Sequence, residues 1–540
     1  MANTNAIAQV APSPAPPNNS LPALVPLPQS LKSLPGEALT KLETLVFPAN
    51  LWAEAQYLAA EIAQQTGKNL SLVKADQTAG APAGALVLSW STTPLAAEGY
   101  RLQVQSSAMT LVAQDKAGFI HGMQTILQLL PLQKGKAWKI PALEIEDHPR
   151  FAYRGMHLDV VRHLFSVDYI KQFIDYLCHH KMNTFHWHLT DDQGWRIEMK
   201  AYPKLNTIGS YRAETLVGHF KDQPAVYDGQ RYGGYYTQKE IKEIVAYAAL
   251  RQINIIPEID IPGHSRAAIA AYPELSTQPD TVWNVATTWG MYNRQNNVLA
   301  PKPATFQFLE TVFTELMALF PSPYIHLGGD ECSKLWWKQD PKTQDFIAQN
   351  KLGNETGLQT YFIEYVGRFL QTKGRKAIGW HEIAEGKLDT ATLIMNWGNE
   401  KTAAQCLQKG FSIIQTPGKP LYFDHYQSLD PKDSLAIHGY NPLEAVYRFD
   451  PVPPGMNRSN KILGAQANVW TEYMGHAQKV NYMVFPRMTA LSEVLWSGPG
   501  KDYGAFLQRL ESQSIPRYGY WNASWFKDYR KWDLSKKPAN

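Results

Sequence analysis

The stretch YIHLGGDE, residues 324–331, closes an apolar run with two glycines and then sets Asp330 and Glu331 side by side. A short apolar run bounded by glycine reads as a strand buried on both faces, the kind found in parallel sheets covered by helices. Its acids then stand at the strand's C-terminal end. Successive side chains of an extended strand point to opposite faces, so the alternation predicts that Asp330 and Glu331 reach different places and do different work.

Working outward, the same form recurs seven more times after residue 150: YRGMHLDV (153–160), NTFHWHLT (183–190), INIIPEID (253–260), KAIGWHE (376–382), TLIMNWG (392–398), FSIIQTP (411–417) and ILGAQANVW (462–470). Amphipathic segments such as VDYIKQFIDYLCHHK (167–181) and QKEIKEIVAYAALR (238–251) lie between them. Eight strand and helix alternations predict an α/β fold with a (β/α)8 TIM barrel. A doubly wound open sheet would call for a glycine-rich phosphate loop after its first strand, and none is present. The 540 residues exceed one ordinary domain. The chain is expected to comprise a disordered Pro/Ala-rich lead-in (1–36), a small N-terminal α/β domain (37–148), the barrel (149–515) and a C-terminal tail packing on it (516–540). Within the small domain, helices are expected over LWAEAQYLAAEIAQQTG (51–67) and inside AGFIHGMQTILQLLP, with strands at ALVLSW, YRLQVQ and MTLVAQ.

Composition narrows the function classes. With 52 basic and 48 acidic residues the net charge of +4 gives no basis for a polyanion partner such as nucleic acid. No run approaches the roughly 20 apolar residues that span a bilayer, so a soluble chain is expected. The start, MANTNAIAQVAPSPAPPNNS, lacks a basic n-region and does not read as a signal peptide. Cys178, Cys332 and Cys406 are too few and too scattered for a disulfide framework or a zinc cluster, and Cys332 reads as a small buried hydrophobe. The 16 Trp and 27 Tyr are many, and aromatic faces in excess stack well on sugar rings.

Barrel active sites lie at the strands' C-terminal ends. Those ends carry Asp159 with Arg162 and His163; His186, His188 and Asp191; Glu258, Asp260 and His264; Asp330 and Glu331; Trp380; Trp397; Tyr422 and Asp424; and Trp470 with Glu472. Tryptophans and carboxylates around one mouth suit a pyranose, with its apolar faces and hydroxyl edge. His186 and His188 on one strand face could contribute to a zinc site, but without HExxH a histidine holding an acid is the better reading. Ordinary glycosidases use two carboxyls about 5 to 5.5 Å or about 6.5 to 9.5 Å apart. Adjacent acids meet neither spacing, so either the second carboxylate comes from another strand or the substrate supplies its own nucleophile.

The motifs RGMHLDVVRH, NTFHWHLTDDQGWRIE, IPEIDIPGH, HLGGDE, IGWHEI, MNWG, YFDHYQ and QANVWTEY occur in this order. Over about residues 21 to 515 the chain resembles the family 20 glycoside hydrolases, the β-N-acetylhexosaminidases of bacterial type. That resemblance implies exo-acting, retaining hydrolysis of terminal N-acetylhexosaminides, in which the 2-acetamido oxygen attacks the anomeric carbon to give an oxazolinium ion. It implies Glu331 as general acid and base, Asp330 orienting the acetamido N–H, and Tyr422 bonding the acetamido oxygen. Trp380, Trp397 and Trp470 become the cage, Arg162, Asp424 and Glu472 the readers of ring hydroxyls, and Asp191, His264 and His188 the support. An acid is expected after Trp380, where His381 stands. Arg154 reads as structural. The resemblance implies no cofactor and no metal, a small carbohydrate as the partner, a monomer or homodimer, and a periplasmic or secreted setting, otherwise cytoplasmic. The alternatives are a sugar-binding protein without catalysis, a disaccharide-releasing relative such as a lacto-N-biosidase, and a metal-dependent hydrolase.

Overall fold

Strands β1 (Ser30–Ser33), β2 (Thr44–Phe47), β3 (Ser71–Lys74), β4 (Ala85–Trp90), β5 (Tyr100–Val104), β6 (Ala108–Ala113) and β7 (Leu143–Asp147) form one sheet in the order β1-β7-β5-β6-β4-β2-β3. The computed structural model describes residues 21–75, 82–453, 455, 460–498 and 502–536. Pairs from β6 through β4 and β2 to β3 are parallel, and those joining β6, β5, β7 and β1 are antiparallel. In β5, Tyr100, Leu102 and Val104 are buried while Arg101 and Gln103 are not, the period-two alternation of a one-sided core. Helices α1 (Trp52–Thr66) and α2 (Lys116–Leu129) cover that side, Leu58, Ile62, Phe119 and Met123 sharing its core cluster.

The three strands and two helices expected here are present. Strands β1, β2, β3 and β7 were not expected: each has only four or five residues, and their pairing partners lie far away in sequence. The expectation of a disordered lead-in needs correction from residue 21 onward. Leu24 and Val25 are buried, Val25 exchanges two hydrogen bonds with the Gln128 side chain, and β1 pairs with β7. Two apolar residues and one short strand suffice to anchor a proline-rich segment once distant partners exist, which composition cannot reveal. Residues 1–20 of that expectation lie outside the described residues.

All eight apolar runs become barrel strands: β8 (Tyr153–Asp159), β9 (Thr184–His188), β10 (Asn254–Glu258), β11 (Tyr324–His326), β12 (Lys376–Trp380), β13 (Leu393–Asn396), β14 (Ile413–Gln415) and β15 (Ile462–Ala467). They close in sequence order with every pair parallel. Every residue of β8, β9, β13 and β14 is buried, as strands walled by side chains within and helices outside must be. Helix α3 (Val167–His179) starts where the Ser166 side chain accepts the Tyr169 N–H, and it turns Ile170, Phe173, Ile174 and Leu177 inward. Helix α4 (Gln238–Leu250) starts with a Thr237–Glu240 capping box. In the C-terminal segment Tyr518, Phe526 and Tyr529 are buried in the barrel's own core cluster. Among the described residues no helix is long and apolar enough to cross a membrane.

The sheet and the barrel meet across buried charge. Lys181, at the end of α3, donates from Nζ to Asp147 Oδ2 (2.8 Å) and to the Tyr100 hydroxyl (2.9 Å), with the lysine and aspartate side chains both almost wholly covered. Trp496 Nε1 donates to Asp147 from the far end of the barrel (2.9 Å). Arg154, on β8, reaches Glu98 of the small domain at 2.5 Å and the Lys181 carbonyl at 2.8 Å, which gives it a joining role. Removing one member of a buried pair strands the other charge, at about 3–5 kcal/mol. Lys181→Met should therefore lower the urea midpoint sharply, and adding Asp147→Asn should recover part of the loss. An unchanged midpoint in Lys181→Met would show that the junction does not depend on this pair.

Candidate active site

At the C-terminal end of β10, Glu258 is completely buried, and side chains from β9, β11 and β12 converge on it. His188 Nδ1 lies 2.5 Å from Oε2, His186 Nε2 lies 3.0 Å from the same oxygen, and His326 Nδ1 lies 2.9 Å from Oε1. The Trp380 indole N–H donates to Oε1 at 3.0 Å. Burial alone would raise this carboxyl, but the surrounding imidazoles hold it well below the ordinary glutamate range. His188 also faces Asp191 Oδ2 at 3.0 Å through Nε2. Burial lowers its pKa, yet the two flanking carboxylates win and raise it to about 10, so the ring is an imidazolium at neutral pH.

The alternation of charge continues outward. Asp191 accepts from Arg162 Nη2 at 2.7 Å and faces His264 Nδ1 at 3.0 Å. Burial raises Asp191, but Arg162, His264 and His188 together hold it well below the aspartate range. His264 Nε2 then lies 3.7 Å from Glu331 Oε2 and 4.0 Å from Asp330 Oδ2. Carboxylate, imidazolium, carboxylate and imidazolium thus lead from the barrel centre to the paired acids.

The pair itself is not separated by strand alternation, because β11 ends at His326. Instead the chain turns through left-handed backbone at Gly328 (φ 64), Gly329 (φ 90) and Glu331 (φ 41). A Cβ at Gly328 would lie 1.8 Å from Asp260 Oδ1, and the Gly329 N–H donates to that same oxygen at 3.1 Å. Only glycine fits this turn without displacing Asp260. The result is a difference in depth: the Asp330 side chain is 15% exposed and that of Glu331 is 52%. Burial pushes both carboxyls up, His264 opposes the shift in each, and Asp330 adds to the rise of Glu331. The contribution of the neighbouring acid is smaller than that of burial.

The remaining expected residues converge on the same mouth. Arg162 is fixed by Gln193 Oε1 (2.9 Å) and Asp159 Oδ2 (3.3 Å), with its guanidinium 5.2 Å from the Trp470 ring centre. Trp397 and Trp470 are half-buried, and Tyr422 lies 6.4 Å from Trp397 between ring centres. Trp380 departs from the cage expectation: it has no exposed surface, and its N–H is committed to Glu258, so it underlies Trp470. The acid expected beside Trp380 comes one residue later, where Glu382 accepts the Trp397 N–H at 3.0 Å. Asp330 Oδ1, Asp424 Oδ1, Glu472 Oε2 and His264 Nε2 are buried atoms with no hydrogen-bond partner among the described residues. Burial pushes the Asp424 and Glu472 carboxyls up as well.

Three groups bring histidine and carboxylate atoms within 4.8 Å: His157/His186/Glu258, Asp191/Asp192/His264 and Asp260/His264/Asp330. The lone pairs a cation would need are engaged in the first, since His157 Nδ1 accepts from Val469 N–H and His186 Nδ1 from Gln466. In the other two, His264 Nδ1 is paired with Asp191, and the neighbouring acids raise its pKa well above the ordinary range despite burial. A protonated imidazole offers no lone pair to a metal.

Residues 151–499 match the glycosyl hydrolase family 20 catalytic domain, and residues 21–148 match domain 2 of the same family. The chain belongs to glycosyl hydrolase family 20. A β-hexosaminidase of Porphyromonas gingivalis is 37% identical over 91% of this chain, and one of Vibrio furnissii is 40% identical over 74%. The chain spans 63% and 66% of the length of those two relatives. Among solved structures, the Vibrio harveyi family 20 exo β-N-acetylglucosaminidase in complex with N-acetylglucosamine has a TM-score of 0.81 at 30% identity, covering 94% of this chain and 79% of that one. A mutant Streptomyces plicatus β-hexosaminidase in complex with product GlcNAc has a TM-score of 0.80 at 29% identity, covering 94% and 97%.

For this family 20 chain, sequence reasoning missed Glu382 as a site residue and placed Glu258 at the mouth without giving it a role. Both stand at strand ends in quoted motifs, and that position was the available signal. The raised His188 pKa generates a test. A group whose pKa is higher in the folded state stabilises fully below its unfolded value, near 6.5, and loses that contribution as pH rises through about 10. Urea midpoints should therefore fall between pH 7 and 10, and His188→Gln should have a lower midpoint at pH 7 with a flatter slope above it. Parallel pH profiles for the two proteins would contradict an imidazolium at this position.

Proposed function

We propose that this protein is a retaining, exo-acting β-N-acetylhexosaminidase that removes terminal N-acetylhexosamine, GlcNAc first among them, from chitooligosaccharides or glycans, with the substrate's acetamido group as nucleophile. The supporting observation is the unequal depth of the adjacent acids. Asp330 sits inside, close enough to Tyr422 to raise that hydroxyl's pKa further beyond the effect of burial and of Asp424, and Glu331 stands at the mouth. One acid can thus meet an acetamido arm while the other meets the leaving oxygen.

In this mechanism Glu331 starts protonated, helped by burial and by Asp330, and gives its proton to the glycosidic oxygen as the bond to the anomeric carbon breaks. The acetamido oxygen, bonded by the Tyr422 hydroxyl, closes on that carbon. Asp330 accepts the acetamido N–H. Its carboxyl is raised in the free protein, and the cation developing on the sugar favours its ionised form, so the stabilisation grows toward the transition state. Glu331, now a carboxylate, then takes a proton from water as it opens the oxazolinium ring. Trp397 and Trp470 wall the sugar over Trp380, and Arg162, Asp424 and Glu472 bind its hydroxyls. Asp191, His188 and His264 keep Glu331 in place.

Glu331→Gln should cut kcat about 10²–10⁴-fold on chitobiose, and less on an aryl N-acetylglucosaminide whose leaving group needs no proton. The alkaline limb of the activity profile should follow the raised Glu331 pKa and lie above the ordinary glutamate range. Paired aryl N-acetylglucosaminide and glucoside assays test the nucleophile: only the acetamido sugar should be turned over. Comparable rates on the glucoside would rule out substrate assistance.

A further inference from the structure

The segment between β9 and α4 is long, and one excursion from it ends against Tyr473, Ile437 and Gly290. Its base is Arg212, fully buried, whose Nη2 donates to the Arg162 carbonyl at 2.8 Å and whose Nε donates to Thr215 Oγ1 at 2.9 Å. Two short antiparallel ribbons stiffen it, Tyr211–Arg212 against Tyr232–Gly233 and Leu216–Val217 against Val226–Tyr227. Its tip, His219 and Phe220, is tied to the opposite rim. The Phe220 N–H donates to the Tyr473 hydroxyl at 3.1 Å, the His219 ring stacks on Tyr473 at 5.5 Å and 2°, and His219 Nε2 donates to the Ile437 carbonyl at 2.7 Å. On its other side the Phe220 ring packs on Gly290 (φ 69), where a Cβ would come within 3.2 Å.

These anchors join the two ends of the hydroxyl-binding set. Gly290 follows Thr288, whose carbonyl accepts from Gln193, and Gln193 in turn holds Arg162. Tyr473 follows Glu472. The tip therefore bridges from the Arg162 side of the pocket to the Glu472 side, and the Asp222 carboxylate, accepting the His219 N–H at 2.7 Å, keeps it folded. We propose that His219 and Phe220 form the end wall of the sugar pocket, so that these two residues restrict the protein to chain ends by excluding any substituent on the hydroxyls that Arg162 and Glu472 hold. This rests on the hydrolase reading above and adds the residues that set its specificity. Removing the wall would let the same reaction, water replacing the group on the anomeric carbon, proceed on a sugar extended at O4.

The test compares 4-nitrophenyl N-acetyl-β-glucosaminide with 4-nitrophenyl β-N-acetyllactosaminide, in which galactose blocks O4. Wild type should release nitrophenol from the first alone. His219→Ala with Phe220→Ala should raise the blocked-to-free ratio of kcat/KM at least tenfold, with intact disaccharide as the co-product, and Phe220→Tyr should keep the wild-type ratio. An unchanged ratio in a double variant that melts like wild type overturns the wall. Should the double variant not fold, Tyr473→Phe, which deletes only the hydroxyl anchoring the tip, must raise the ratio in the same direction, and no change there overturns the wall equally. Wild type inert on the unblocked sugar overturns the hydrolase reading, and the wall falls with it.

Discussion

An ionised carboxylate buried inside a barrel is the constraint around which this molecule is arranged. Taking such a group out of solvent costs several kcal/mol, and only well-placed donors offset that. Glu258 obtains them from β9 and β12, and supplying them fixes how those strands end. The arrangement then propagates: each cation recruited to neutralise one acid is left facing the next, from His188 to Asp191 to His264. At the mouth the cations that face Glu331, His264 and Arg162, are already paired with Asp191, and burial outweighs them, so that carboxyl is pushed up.

The same shortage of cations shapes the surroundings. Asp260, Asp330, Glu382, Asp424 and Glu472 are all raised, chiefly by burial and further by neighbouring carboxylates. Among the described residues, His264, Arg162 and Arg487 are the cations that oppose the rise at these groups. A ligand that brings hydroxyls, an amide and a transient positive charge matches what such a pocket lacks.

Much of this was legible in the sequence because the signals were local. Eight apolar runs read as strands because parallel barrel strands are buried on both faces, and their polar termini marked the mouth. Asp191, His188 and His264 were expected as support from the family resemblance, not from the residues alone. What escaped depends on convergence in space. Nothing in PEID shows that Glu258 meets three histidines and an indole from other strands, nor that this contact draws Trp380 out of the exposed wall. The separation of Asp330 from Glu331 was anticipated, but for a different cause: side-chain alternation was inferred where φ angles of 64, 90 and 41 are responsible. Short strands such as β1 and β3 carried too few residues for periodicity to register.

The junction between sheet and barrel bears on how the chain is made. Asp147 ends the small domain, yet the indole that satisfies it belongs to Trp496, 349 residues later. A ribosome adding 5–20 residues per second covers that distance in roughly 20–70 s. During that interval the nascent small domain holds a carboxylate whose final partner has not been synthesised. It can collapse early, but its last surface is completed only when Trp496 has emerged, so maturation of the first domain waits on synthesis of the barrel.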